Sequence, residues 1–170
     1  MNSVSIIIVN YNGRGFIGDC LSSIKETAAG SKEIAEIIVV DNASNDGSPE
    51  FIEKEFPDIK LIELEKNIGF AEANNIGVRA ACGGLVVFLN SDTAVTPGWL
   101  APLIEAMVLN PEVGVAGSKL LLMNAPGRVN SAGADIVPTG GAYDIGFMDE
   151  DSEKYNVSGF RGAVSAAAKT

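Results

Sequence analysis

Polar residues follow several of the short apolar, β-branched runs in this sequence. Such clusters occupy positions 10–13, 41–48, 67–70 and 90–93. Asn, Asp, Gly and Ser also form turns and helix caps, which accounts for many of these residues without a ligand. Asp41 and Asp92 differ, because each follows four or five consecutive residues of a buried type, where an unpaired carboxylate is costly. We therefore expect both carboxylates to face a ligand or a metal ion.

The composition restricts the chemistry that these clusters could perform. The 170 residues include no histidine, which excludes Ser-His-Asp and Cys-His nucleophiles and histidine-ligated zinc. Acid–base chemistry must then come from carboxylates. Lys and Arg number 12 and Asp and Glu 22, so the formal charge is −10. Such an acidic chain is a poor binder of a phosphate backbone, and we expect no nucleic-acid partner.

The sequence also indicates a cellular setting. Cys20 and Cys82 lie between apolar neighbours in predicted helices, where both are expected to be small buried thiols of a reducing compartment. No apolar run approaches the ~20 residues that span a bilayer, and no basic stretch precedes an apolar one at the N-terminus. We therefore predict a cytoplasmic chain without a membrane span or a signal peptide.

Strand-like and helix-like segments alternate along the chain, which predicts an α/β fold with a mostly parallel sheet. The predicted strands are 4–9, 36–40, 60–64, 85–89 and 114–119, and the predicted helices are 16–27, 49–56, 71–82 and 97–109. Ser48 and Thr96 each precede a proline and are predicted to cap helices. Small residues in helix 71–82 predict a close approach to the sheet. Five apolar residues of the last helix are expected in the core: Trp99, Leu100, Leu103, Ile104 and Met107.

The pattern weakens beyond position 122. Residues 123–159 are rich in Gly, Pro, Asn and acidic residues, which predicts long loops and hairpins with a solvated charge run at 149–153. The alanine-rich stretch 162–168 has the composition of a new element with no stop signal. We therefore expect one domain that is cut short at Thr170.

The positions of the polar clusters favour one edge of the sheet, since ligands of open α/β sheets bind at the carboxyl ends of the strands. One alternative is an NAD(P)-binding Rossmann domain, because Gly13, Gly15 and Gly18 form a G-x-G-x-x-G pattern and Asp41 ends the second predicted strand. In that pattern the first glycine belongs to the turn itself, whereas residues 10–12 separate it from the strand here. The alternative also leaves Asp92 unexplained.

A phosphoacceptor receiver domain, with Asp41 as the acceptor, is a third alternative. Such a domain needs an acidic pair after its first strand. Asn10 and Asn12 stand at that place instead. This non-catalytic alternative is therefore disfavoured.

Four segments resemble family 2 glycosyltransferases in order and spacing: SIIIVNYN at 5–12, IVVDNASNDGS at 38–48, NIGFAEANNIG at 67–77 and FLNSDT at 88–93. The resemblance covers about residues 3–119 and is nearest to the rhamnosyltransferase-like branch. It implies a GT-A fold, with a Rossmann-like, mostly parallel sheet flanked by helices over 1–122. Residues 123–170 would then begin a loop-rich acceptor-side region.

The activity that this resemblance implies is an inverting sugar transfer. The donor would be a UDP- or dTDP-linked sugar, and the acceptor a glycan or lipid-linked precursor of the cell envelope. The full-length protein would associate with the inner face of the membrane through a part beyond this sequence.

The resemblance also assigns residues to the donor nucleotide. Tyr11 would stack or pack on the base, beside Val9 and Asn10, and Asp41 would accept a hydrogen bond from the imide of a pyrimidine. Three more residues would line the nucleotide: Asn67, Gly69 and Asn74.

Asn90, Ser91 and Asp92 occupy the place of the family's D-x-D motif, which holds Mg²⁺ or Mn²⁺ across the sugar diphosphate. Asn at the first position removes one charge, so Asp92 is the only carboxylate ligand within the motif. We expect a metal ion that is bound weakly or is dispensable.

Inversion needs a general base that takes a proton from the acceptor hydroxyl. In the family this carboxylate usually follows the segment that 159–163 resembles, so the catalytic residue is unassigned and expected beyond Thr170. Four acidic residues could replace it: Asp135, Asp144, Asp149 and Asp151. We therefore expect a donor-binding part that lacks its base.

Overall fold

The computed structural model describes residues 3–28, 33–157 and 159. The chain divides into two compact units, Met1–Pro97 and Gly98–Thr170. The predicted boundary after position 122 lies inside the second unit, and the division into a nucleotide-binding core and an acceptor-side region stays a prediction. The stretch 162–168, Thr170 and most of 159–163 lie outside the described residues.

A four-stranded sheet forms the centre of the first unit. Its strands are β1 (Val4–Asn10), β2 (Ile34–Asp41), β3 (Lys60–Glu63) and β4 (Leu85–Asn90), in the spatial order β3-β2-β1-β4. All three strand pairs are parallel. Every residue of β1 is buried, as expected for a strand covered on both faces. The predicted parallel α/β sheet is confirmed.

Three helices connect these strands: α1 (Ile17–Ala28), α2 (Ser48–Glu55) and α3 (Phe70–Ala80). Helix α3 packs on β1 and β2, where Ala73 joins the core formed by Val9, Ile38 and Val40. A Cβ on Gly77 would overlap the Cγ2 atom of Ile7. The predicted close approach of this helix to the sheet is therefore confirmed.

Both predicted helix caps are wrong. Gly47, in the left-handed region at φ 79°, precedes α2, and the hydroxyl of Ser48 donates to Asp46 instead of capping the helix. The fourth helix, α4, comprises Ala101–Leu109 and begins after Leu100, not at Thr96. Gly98 has φ 81°, a left-handed conformation that interrupts a helix at that point.

The second unit contains α4 and two small antiparallel hairpins. Strands β5 (Leu120–Leu122) and β6 (Ala125–Ser131) form one, β7 (Ala134–Ile136) and β8 (Ala142–Asp144) the other, and a 3₁₀ turn follows at Glu153–Tyr155. This confirms the hairpins predicted for 123–159. The strand predicted at 114–119 is wrong, because glycines at 114 and 117 interrupt it and the ladder begins only at Leu120.

The predicted core positions around α4 hold in part. Leu100 is buried, but α4 itself has no fully buried residue. Four residues of the predicted stripe are half-buried: Trp99, Leu103, Ile104 and Met107.

The two cysteines occupy different environments. Cys20 in α1 is buried, and this burial raises the pKa of its thiol to about 12. Cys82 is exposed, so the prediction of a buried thiol is wrong there, since α3 ends at Ala80 and Cys82 belongs to the connection to β4. In the described part of the chain, every helix is too short or too polar to cross a membrane.

Candidate functional site

The register of the parallel sheet places the polar clusters at one edge. Asn10 lies opposite Asp41, and Val9 lies opposite Asn90. Asp41 in turn lies opposite Glu63 on the outer strand. The carboxyl ends of β1, β2 and β4 therefore bring three of the four sequence clusters together, as the alternation of elements predicts.

Asn10 and Asp41 form the buried centre of this edge, and the two residues are 0% and 2% exposed. Asn10 Nδ2 donates to Asp41 Oδ1 at 2.8 Å and to the hydroxyl of Ser48 at 2.8 Å. The Ser44 hydroxyl donates to Asp41 Oδ1 at 2.6 Å, and its amide donates to Asp41 Oδ2 at 2.8 Å. Asp41 is thus held by three hydrogen bonds, of which Oδ2 accepts one, so Oδ2 has the lone-pair capacity for a second.

Asn10 Oδ1 is buried and accepts no hydrogen bond from the described residues. It lies against Gly13, where a Cβ would overlap it, and that same Cβ position is 3.4 Å from Ser91 Oγ. Gly13 is therefore required here by the side chain of Asn10. Because Gly13 has no side chain, the clusters at 10–13 and 90–93 can lie close together.

The loop before α3 is attached to this edge by Asn42, which sequence reasoning missed as a site residue. Asn42 is 2% exposed and donates through Nδ2 to Asn67 Oδ1 at 3.0 Å. Its Oδ1 accepts the amide of Ile68 at 2.9 Å. The amide of Gly69 donates to Asn67 Oδ1 at 2.9 Å. The available signal was an asparagine directly after Asp41, but it lay in a segment typical of turns.

Other predicted nucleotide contacts differ in how accessible they are. Tyr11 is 54% exposed, so its side chain is accessible for stacking on a base. Gly69 has φ 87° and precedes the first residue of α3. Asn74 is 9% exposed and donates to the carbonyl of Phe70 within its own helix. Its amide is therefore engaged in α3, and its nucleotide role stays a prediction.

Asp92 follows β4 directly and fits the role of a single metal ligand. Its Oδ1 atom and the neighbouring Thr93 hydroxyl are buried without a hydrogen-bond partner among the described residues. Among all described residues, no group of three or more Asp, Glu, Cys or His side chains is suited to hold a metal. Mg²⁺ is commonly held by one or two carboxylates together with substrate phosphates and water, so this donor set suits an ion that arrives with a diphosphate.

Three backbone amides of the glycine-rich turn are already engaged within the protein. The Arg14 amide donates to Asp46 Oδ2 at 2.8 Å, and the amides of Phe16 and Ile17 both donate to the Gly13 carbonyl at 2.9 Å. Burial favours the neutral form of Asp46, but its hydrogen bonds from Ser48 and Arg14 outweigh this and lower its pKa. A carboxylate therefore occupies the place where a pyrophosphate would bind.

The four alternative base residues all belong to the second unit. Asp135 lies in β7 and Asp144 in β8. Asp149 accepts from Lys154 and from Tyr155, whose hydrogen bond is the main cause of its lowered pKa. Asp151 pairs with Lys119 at 2.8 Å. Residues 149–153 are exposed, which confirms the predicted solvated charge run.

The family described as "Glycosyl transferase family 2" matches residues 5–160. The chain belongs to family 2 of the glycosyltransferases. This membership excludes the dinucleotide-binding and receiver-domain alternatives, whereas the rhamnosyltransferase-like branch stays a prediction.

One relative of this family 2 chain is the poly-β-1,6-N-acetyl-D-glucosamine synthase of Staphylococcus epidermidis, 31% identical over 67% of this chain and 27% of the relative. The mannosyltransferase PcManGT of Pyrobaculum calidifontis, solved with GDP-Man and Mn²⁺, is 31% identical with a TM-score of 0.59, over 65% of this chain and 33% of that one. TarS of S. aureus, solved with UDP, is 23% identical with a TM-score of 0.56, over 72% and 43%.

These likenesses show that the fold of the family 2 chain is GT-A, with a mostly parallel central sheet flanked by helices. The chain spans only 20–36% of the length of four curated relatives.

Proposed function

We propose that this chain is the donor-binding part of an inverting glycosyltransferase. It binds a UDP- or dTDP-linked sugar, and the whole protein transfers that sugar to a glycan or lipid-linked acceptor of the cell envelope. The observation that carries the proposal is that Asn10, Asp41 and Asn90 lie side by side at the carboxyl ends of three neighbouring parallel strands. Membership of family 2 and a relative named as a polysaccharide synthase support the chemistry.

In this proposal Asp41 and Tyr11 bind the nucleobase. The remaining acceptor position on Asp41 Oδ2 suits the single N–H of a uracil or thymine imide, and the exposed ring of Tyr11 offers a stacking surface. In this proposal Val9 and Asn10 lie beside the nucleobase. Asn67, Gly69 and Asn74 line the nucleotide on another side. Ser91 and Asn90 lie toward the diphosphate.

Asp92 is the residue that would hold Mg²⁺ or Mn²⁺. When bound, the ion neutralises the negative charge that develops on the leaving diphosphate. The neighbour solved with Mn²⁺ and the unpartnered Asp92 Oδ1 support this assignment. Asn90 supplies no charge, so the ion depends on the diphosphate for most of its ligands.

Inversion requires attack on the anomeric carbon from the side opposite the leaving diphosphate, with a carboxylate taking the proton of the acceptor hydroxyl. That base is unassigned in this part of the protein. We also propose that the reaction takes place on the cytoplasmic side of the membrane. Two free cysteines among the described residues support a reducing compartment.

Thermal unfolding of the chain with UDP, dTDP, GDP and NAD, each with and without Mn²⁺, tests the proposal. A ligand at a hundred times its Kd adds ~2.7 kcal/mol to the free energy of unfolding. For a chain of this size the midpoint then rises by roughly 5–10 °C. We expect this rise with UDP or dTDP, larger with Mn²⁺. A rise with NAD alone contradicts the proposal, and so does the absence of a rise with every nucleotide tested.

A further inference from the structure

The hydrogen bonds around Asn42 determine which atom of Asn67 is free. Asn67 Oδ1 accepts two hydrogen bonds, one from Asn42 Nδ2 at 3.0 Å and one from the amide of Gly69 at 2.9 Å. Asn42 Oδ1 accepts the amide of Ile68 at 2.9 Å. Both side chains of this asparagine pair therefore connect the end of β2 to the loop before α3.

The two backbone amides fix the orientation of both side-chain amides. A backbone N–H only donates, so the Asn42 atom that faces Ile68 must be its oxygen, and its nitrogen then faces Asn67. The amide of Gly69 likewise requires an oxygen from Asn67. The same two atoms of Asn42 and Asn67 satisfy both requirements, so neither amide can turn over without losing a hydrogen bond.

This arrangement leaves the NH₂ group of Asn67 as a donor without a partner among the described residues. Asn67 is exposed, whereas Asn42 is buried and has both amide atoms engaged. We propose that Asn42 is a positioning residue that turns the Asn67 amide so that its NH₂ donates to an oxygen atom of the bound nucleotide. This inference rests on the proposed nucleotide-binding function.

Asn42 restricts the rotation of the Asn67 side chain. An exposed amide side chain rotates freely, and fixing it on binding costs conformational entropy. The hydrogen bond from Asn42 fixes the Asn67 side chain before the ligand arrives. Together with the amide of Gly69, it opposes the other orientation, in which Asn67 would present an oxygen and repel the oxygen atoms of the ligand.

A double-mutant cycle on UDP binding to the 170-residue chain tests this mechanism. Asn67→Ala removes the donor, and we expect the Kd for UDP to rise about three- to tenfold, the range of a single hydrogen bond. Asn42→Ala should raise the Kd by a similar factor. In the Asn67→Ala background, Asn42→Ala should change the Kd less than twofold, because it acts through Asn67.

Two further variants separate orientation from stability and charge. Asn42→Asp keeps the acceptor for the Ile68 amide but offers Asn67 an oxygen in place of a donor, so the Kd should rise even where the unfolding midpoint is unchanged. Asn45→Asp makes the same charge change in the neighbouring exposed loop, and we expect less than a twofold effect. Uridine distinguishes the source of the oxygen: a loss seen with uridine places it on the nucleoside, and a loss seen only with UDP places it on the diphosphate.

The inference and the proposed function fail in different ways. If the parent chain binds UDP and Asn67→Ala binds it equally well, the donor role of Asn67 is overturned while nucleotide binding stands. An Asn42→Ala effect of the same size with and without Asn67 shows that Asn42 acts on its own and overturns the positioning role. A parent chain that binds no nucleotide overturns the proposed function and this inference together.

Discussion

Asp41 and Asp92 are carboxylates at the ends of β2 and β4, the two strands on either side of β1, yet their surroundings are opposite. Asp41 accepts hydrogen bonds from Asn10 and twice from Ser44, so it has a fixed orientation in a buried network. Asp92 has a buried oxygen with no donor among the described residues. A rigid acceptor suits recognition of a nucleobase, whereas an unsatisfied oxygen suits a cation.

Asp41→Asn should weaken UDP binding about tenfold or more, because the substituted amide can no longer accept on both atoms. It should also lower the free energy of unfolding by about 1–3 kcal/mol, since the amide of Ser44 or the amide of Asn10 loses its acceptor. Calorimetric titration and urea unfolding measure the two effects. Asp58→Asn, at an exposed position on the surface, is the matched control and should change neither. Unaltered UDP affinity in Asp41→Asn contradicts the assignment.

Asp92→Asn should remove the enhancement of UDP binding by Mn²⁺ and leave binding without metal nearly unchanged. The unfolding midpoint of the free chain should stay constant or rise, because the substitution removes a charge whose Oδ1 atom is buried and unpartnered. UDP titrations with and without Mn²⁺, alongside thermal unfolding, measure these outcomes. A variant that keeps the full Mn²⁺ effect shows that another group holds the ion.

At the scale of the elements, Gly15 in the turn before α1 and Gly77 within α3 have different surroundings. A Cβ on Gly77 would overlap the stiff, branched side chain of buried Ile7, whereas no atom lies within 4 Å of the Cβ position on Gly15. Gly77→Ala gains about 1 kcal/mol in helix propensity but costs about 1–3 kcal/mol by overpacking. We expect a net loss of stability in urea unfolding. Gly15→Ala should be neutral within about 0.5 kcal/mol and should bind UDP normally.

This pair of variants also separates two roles of glycine in the α/β core. If Gly15→Ala weakened nucleotide binding and Gly77→Ala were neutral, the glycine-rich turn would be the ligand site and α3 would have room to move. The opposite result ties the stability of the sheet to the approach of α3.

The four parallel strands, the first three helices and the strand-end clusters could be predicted because local periodicity and buried β-branched runs determine them. The helix caps could not, since the Ser48 hydroxyl is engaged by Asp46 and Asn10, which are distant or non-helical partners. The role of Asn42 could not be predicted for the same reason, because its hydrogen-bond partners are 25 and 26 positions away and are determined by the tertiary fold. Local sequence thus predicts elements better than it predicts which polar atoms meet.

At the scale of the whole molecule, the formal charge of −10 opposes the binding of an anionic nucleotide. The repulsion is screened by salt, and the Debye length falls from about 30 Å at 0.01 M to about 10 Å at 0.1 M. Raising the NaCl concentration over this range without metal should therefore tighten UDP binding about two- to threefold. Proteins that bind phosphates through basic patches show the opposite trend.

Uridine and Mn²⁺ make this salt prediction specific. Uridine carries no charge, so its Kd should not change with NaCl concentration. With saturating Mn²⁺ the effect on UDP should shrink, because the ion at Asp92 cancels much of the charge of the diphosphate. Titrations of both ligands at several NaCl concentrations provide the test. If salt weakened UDP binding in the absence of metal, a local positive surface would govern the encounter instead of the acidic chain as a whole, and the metal would not be needed to offset the charge.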